Sequence, residues 1–336
     1  MFEPVKRLCE IDGTSGDEGA VRDFILAQIE GYCDCEVDAL GNILVHKKGK
    51  NRAQNRVMVD AHMDEVGLII THVAEDGSLY FKTVGGIDPA VLWCRRVRIG
   101  GKVYGVIGGK PIHLTEKDEA KKLPKVEQMT IDIGANNRES AERLVSVGDR
   151  AVICGETVLE GNTLCAKALD DRIGCAALIT LLKEDSEFDF CASFSVQEEV
   201  GLRGAKVATH HLNPEFALVL EATTAADIAD VAKEKSVCQL GGGVAVSFMD
   251  GATVYDRALY EEALKSGLPC QPKRAVAGGN NSGAVHLSGN GVRTLALSVP
   301  CRYLHSASCV SDLRDIAAQI RLARYLIEKI ARGDLQ

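Results

Sequence analysis

The chain has 336 residues, a formal net charge of −8, and 46% hydrophobic and 26% charged residues. These values exclude a disordered chain, and the absence of a basic block argues against a nucleic-acid surface. The length suits one large core or two smaller ones, and no apolar run approaches the roughly 20 residues of a membrane span.

The first residues, Met1-Phe2-Glu3-Pro4-Val5-Lys6-Arg7, lack the basic start and apolar stretch of a signal peptide. Twelve cysteines run from Cys9 to Cys309 without a C-x-x-C pair, which favours neither a disulfide framework nor a zinc ribbon. Several, such as Cys175 and Cys191, sit in apolar runs where a free thiol packs as a small hydrophobe. The cysteines are therefore expected to fill the core, and a cytoplasmic location is expected.

Residues 3–30 read as a helix, a capping-type break at Thr14-Ser15-Gly16-Asp17-Glu18, and a second helix with Val21, Ile25, Leu26 and Ile29 at helical spacing. Strands are expected at 35–38 and 42–46 around the turn Leu40-Gly41-Asn42. A buried-type strand at 56–61 then delivers His62-Met63-Asp64-Glu65. From Val66 to about Gly155, β-rich runs at 67–73, 78–83, 96–99 and 103–107 alternate with Gly-rich turns. Residues 117–125 read as a charged loop and 139–144 as a helix. Such closely spaced strands point to a small β-barrel or sandwich inserted into an α/β domain. The expected division is an α/β catalytic domain from 1–66 and 157–336, with an insert at 67–156.

After Gly161 the α/β rhythm returns. Helices are expected at 173–183, 204–211, 255–266 and 312–330, and strands at 190–196, 216–220, 243–248 and 293–298. The strand at 190–196 ends in Glu198-Glu199 and then Gly201. In an open α/β sheet, ligands bind beyond such strand ends. Alternation along an extended backbone would point the two acids apart, so that one holds a metal and the other moves protons.

Alone, that pair would read as solvated. It gains weight from other exits of the same kind: His62 and Asp64, Asp170-Asp171-Arg172, Glu221, and His305 after the last strand. Two imidazoles and several carboxylates at one sheet edge suit a pair of zinc-like or cobalt-like ions. Such a pair, held ~3.5–4 Å apart, polarises both a water and the substrate oxygen. A separate carboxylate is then needed as general base.

The segments Ala61-His62-Met63-Asp64-Glu65-Val66-Gly67, Ala168-Leu169-Asp170-Asp171-Arg172, Val196-Gln197-Glu198-Glu199-Val200-Gly201 and Arg302-Tyr303-Leu304-His305-Ser306 resemble those of the M42 metallo-aminopeptidases. That family includes glutamyl and deblocking aminopeptidases and the TET peptidases. The resemblance extends to Gly85-Gly86-Ile87-Asp88-Pro89 and Lys110-Pro111-Ile112-His113 in the insert. It implies a zinc-peptidase-like α/β/α sandwich whose insert is a PDZ-like barrel used for dimerisation. It also implies two divalent ions, zinc or cobalt with manganese as a third choice, and a homododecamer acting on short peptides. By position, His62 and Glu221 would hold the first ion, Asp170 would bridge, and Glu199 with His305 would hold the second. Asp64 would orient His62, and Glu198 would activate a metal-bridging hydroxide. Glu221 stands where the family more often has Asp. Asn281 stands in a loop where Gly-Gly-Thr-Asp-Ala-Gly is common, so no role is assigned to it.

Other groups receive plainer readings. Asp171 is expected to pair with Arg172 or cap the following helix, and Asp60 to be structural. Arg302 and Tyr303 are read either as substrate contacts or as a structural pair. Gly241-Gly242-Gly243 lacks the Lys-Ser/Thr of a phosphate loop and reads as a turn. Two rival activities are a di-metal deacylase or amidase of N-acyl amino acids, and a glycosidase. The second would use Glu198 with another carboxylate but leave both histidines without a purpose.

Overall fold

A computed structural model describes residues 2–114, 116 and 124–335; the expected loop at 117–125 lies almost wholly outside the described residues. Eight strands form the main sheet: β1 Asp34–Val37, β2 Ile43–Lys47, β3 Val57–His62, β4 Phe190–Ser195, β5 Phe216–Thr224, β6 Val244–Val246, β7 Cys270–Pro272 and β8 Arg293–Cys301. Their order is β1-β2-β4-β3-β5-β8-β6-β7. The four central strands, β4, β3, β5 and β8, run parallel, so their C-terminal ends share one edge.

Both faces of this sheet are covered, as the β3 pattern requires. Val57, Val59 and Ala61 join one apolar cluster with Ile173 and Leu178 of the helix Leu169–Lys183 and Leu322 and Leu326 of the helix Leu313–Arg332. Met58 joins another with Ala205 and Ala208 of the helix Arg203–Leu212 and with Val285. Continuous burial along β3 and most of β5 is the mark of parallel strands packed on two sides. The fold is α/β.

Between β3 and β4 the chain builds a closed six-stranded barrel from Gly67–Val73, Leu79–Val84, Arg96–Ile99, Val103–Gly108, Thr130–Asp132 and Arg150–Ile153. It has its own core, including Leu68, Ile70, Phe81, Val97, Ile107 and Ile131. Alternation along its strands leaves Tyr80, Tyr104 and Val106 exposed on the outside.

Several elements differ from expectation. The strand expected at 243–248 is only Val244–Val246, because the chain turns back at an isolated bridge between Met249 and Val254. Residues 158–166 and 309–312 form an unexpected three-stranded sheet, whose strands are too short to carry a visible alternation. Glu18 precedes the helix Gly19–Ile29 without capping it; its carboxylate instead accepts from the N–H groups of Gly16 and Gln197. Cys9, Cys175, Cys238, Cys301 and Cys309 are buried, but Cys35 and Cys94 are exposed and fill no core. Among the described residues no helix is long and apolar enough to cross a membrane.

Candidate active site

His62 is the last residue of β3, held in a fully buried strand. Its Nδ1 lies 3.1 Å from the Asp64 carbonyl and 3.3 Å from Asp64 Oδ1, which turns Nε2 outward. Asp64 is itself fixed from three sides. Ser15 Oγ donates to Oδ2 at 2.6 Å, and the Glu198 and Glu199 N–H groups donate to Oδ1 and Oδ2. One buried carboxylate thereby orients the histidine and the turn carrying both glutamates.

That turn is not the extended strand expected. Gln197 and Leu202 adopt left-handed backbone, and the Gly201 N–H closes on the Glu198 carbonyl. Glu198 and Glu199 diverge because of the turn, not through strand alternation.

His62 Nε2 lies 3.4 Å from Asp170 Oδ1 and 3.8 Å from Glu221 Oε2. On the other side, His305 Nε2 lies 3.3 Å from Asp170 Oδ2 and 3.1 Å from Glu199 Oε1. Asp170 thus faces both imidazoles. His305 is held through Nδ1, which sits 2.7 Å from the Gly86 carbonyl. Glu221 lies inside β5, in register with Ser298, and the strand continues to Thr224 instead of ending at the acid.

Ligand atoms of His62, Asp170 and Glu199 lie within 4.8 Å of one another, as do those of His62, Asp171 and Glu221. Asp170 Oδ1, Glu199 Oε1 and Glu221 Oε1 are buried without a hydrogen-bond partner. Buried acceptors are costly when unpaired, and a shared cation satisfies several at once. Protonation behaviour agrees. Burial alone would depress the pKa of His62, yet Asp170 and Asp64 hold it well above its ordinary value. His305, against the same burial penalty, is pushed up to about 11 by Asp170 and Glu199. The site therefore favours positive charge, and its imidazole and carboxylate donors fit divalent cations.

Glu198 stands apart. Its carboxylate makes no hydrogen bond among the described residues and lines an open cleft of about 380 Å³ shared with Asp170, Glu199, Glu221 and His305. Burial, followed by the Glu199, Asp170 and Asp64 charges acting against His62, pushes its pKa up to about 8.

Asp171 does not pair with Arg172. Its Oδ1 accepts from the Gly174 N–H, capping the helix as expected, and Oδ2 accepts from the His62 N–H. Arg172 instead reaches Glu65, with Lys167. Arg302 forms a two-bond pair with Asp227, whereas Tyr303 is exposed. Asp60 is buried beneath the site, where Ser193, Ser195 and Asn281 donate to it. Asn281, left without a role by sequence, is this clamp. Ser15 and the Gly86 carbonyl were also missed: a serine in a capping pattern and a glycine in a turn give no sign of partners 49 and 219 residues away.

The profile of the family described as M42 glutamyl aminopeptidase matches residues 41–322. The lysyl aminopeptidase of Pyrococcus furiosus is 34% identical, covering 99% of this chain and 98% of its own. The glutamyl aminopeptidase of Lactococcus lactis is 33% identical, covering 98% and 96%. The TET1 peptidase of Pyrococcus horikoshii, which can assemble into a tetrahedron or a large octahedral shell, superposes with a TM-score of 0.85 at 34% identity, with 98% of each chain covered.

Proposed function

The chain belongs to the M42 peptidase family, and from that premise we propose that this aminopeptidase uses two divalent ions and Glu198 as its general base. The observation that carries the reading is Asp170, set between two imidazoles, with its buried Oδ1 3.4 Å from His62 Nε2 and making no hydrogen bond. His62 and Glu221 would hold one ion, Glu199 and His305 the other, and Asp170 would bridge them. Zinc or cobalt fits this donor set best, with manganese as a third choice. Divalent ions bound there supply Lewis acidity for the scissile carbonyl and make water acidic enough to attack near neutral pH.

The residues then divide the work. Asp64 keeps His62 in one tautomer and fixes the turn that aims Glu198 and Glu199. Glu198, free of other hydrogen bonds, takes a proton from the attacking water and returns it to the leaving amine. The cleft beside it takes the N-terminal residue of the peptide.

Glu198→Gln should keep both metals by elemental analysis while kcat falls by about 10²–10⁴ on aminoacyl-anilides. His62→Ala and Asp170→Ala should instead lose metal. Wild-type turnover by Glu198→Gln would remove the proton role.

Assembly is part of the proposal. Tyr80, Tyr104 and Val106 are large apolar residues exposed on the outside of the barrel, and by likeness to the TET1 peptidase we place a homododecamer built from dimers paired through the barrel. Light scattering that returns the mass of one chain would overturn it.

A further inference from the structure

We propose that Lys273 selects an acidic side chain at the N-terminal position of the substrate. The inference rests on the aminopeptidase reading and adds a substrate class to it. Lys273 directly follows β7, where its N–H donates to the Val246 carbonyl at 2.9 Å. It is 7% exposed and lines the same cleft as Asp170, Glu198, Glu199, Glu221 and His305.

The other deeply buried cations among the described residues all have partners. Lys167 and Arg172 pair with Glu65, and Lys47 donates to the Tyr32 and Leu182 carbonyls. Lys273 has neither an ion pair nor a side-chain hydrogen bond among the described residues. Removing an ammonium from water without a counter-charge costs several kcal/mol, which a ligand carrying an anionic group recovers. In the proposed site Asp170, Glu199 and Glu221 are committed to cations, and Glu198, on the same cleft, forms no ion pair with Lys273, which leaves the ammonium open to an anion from the substrate.

The cleft has room for it. Ala275, Ala277, Gly278 and Gly279 line the same cleft, and such small residues take little of its volume. Ser298, on the same cleft, has a buried hydroxyl with no partner and supplies a second donor. A glutamyl or aspartyl carboxylate fits this combination, whereas a lysyl side chain would meet a like charge in a partly desolvated cleft. Relatives with glutamyl and lysyl specificity are about equally similar to this chain, so overall likeness does not decide the preference.

The test compares kcat/KM of the metal-loaded full-length enzyme on glutamyl-, leucyl- and lysyl-anilides and on the dipeptide Leu-Gly. We expect the wild type to favour glutamyl. In Lys273→Met the glutamyl-to-leucyl ratio should fall about thirtyfold or more, the loss typical of a truncated buried charge pair. Lys273→Arg should hold the ratio within about threefold, and Lys273→Glu should turn the preference to lysyl. Binding gives a second readout: L-glutamate should raise Tm more than L-glutamine does in the wild type, and the difference should vanish in Lys273→Met.

An unchanged ratio in Lys273→Met overturns the inference, as does an equal loss on every substrate. A loss confined to Leu-Gly would mean that the lysine reads a terminal carboxylate, and also overturns it. If the wild type cleaves leucyl- but not glutamyl-anilide, this inference alone fails. If it cleaves no anilide and no dipeptide, the aminopeptidase reading falls first.

Discussion

At the scale of single residues, Asp60 and His62 lie two apart on β3, and both environments favour the protonated form, neutral for the acid and charged for the imidazole. Burial pushes the Asp60 carboxyl up to about 6, against the pull of Ser193, Asn281 and Ser195. A raised acid favours the fold fully below its unfolded pKa of 3.8 and loses that contribution as pH climbs through 6. Over that window the shift is worth about 3 kcal/mol. Asn281 limits the cost by placing a neutral donor 2.8 Å from Asp60 Oδ2. Asn281→Asp would set a second buried carboxylate there, and the pair would share one proton. Its Tm should match the wild type near pH 4 and fall below it by several degrees at pH 8; a constant difference would contradict this. The sequence made His62, Asp170, Glu199, Glu221 and His305 visible because chemically distinctive side chains follow apolar runs. Ser15, Asn281 and Lys273 stayed hidden, since an ordinary serine, amide or lysine acquires meaning only from partners, or their absence, in space.

At the scale of elements, the helix Leu169–Lys183 begins irregularly. Ala168 is left-handed, the Asp170–Asp171 peptide is cis, and neither aspartate has helical dihedrals. Asp171 ties this start to β3 by accepting from both Gly174 and His62. A Cβ on Gly174 would stand 2.3 Å from Asp171 Oδ2, so any larger residue there must push aside a carboxylate held by two N–H donors. Gly174→Ala should therefore lose about 1–3 kcal/mol in urea denaturation and weaken metal binding by titration, although it touches no proposed ligand. Wild-type values for both would show that Asp171 can move freely. Helical periodicity made most of this helix legible from 173 onward. Its first residues, which carry the proposed bridging aspartate, follow no period and stayed outside the expected span.

At the scale of the molecule, sheet and barrel meet around one buried network. Glu65 lies between β3 and the first barrel strand, and accepts from Lys167 at 2.6 Å and Arg172 at 3.3 Å. Arg172 also donates to the Leu8 and Ile11 carbonyls, while Arg98 of the barrel grips Asp12. Glu65→Ala would strip buried Arg172 of its carboxylate partner and leave Lys167 only Asp12, 3.9 Å away, and should cost about 3–5 kcal/mol, read as a lower urea midpoint at unchanged slope. A loss below 1 kcal/mol would mean that water replaces the carboxylate. The barrel itself was legible as a change of texture, but these crossings were not, because each joins segments far apart in the chain. The Gly86 carbonyl gives the junction a mechanical meaning. His305 takes its bearing in part from a peptide group just past the end of the barrel strand Leu79–Val84, 2.7 Å from Nδ1, so the seating of the insert enters the geometry of the sheet-edge cluster. The barrel thus supplies one of the three groups that orient this imidazole, beside Asp170 and Glu199.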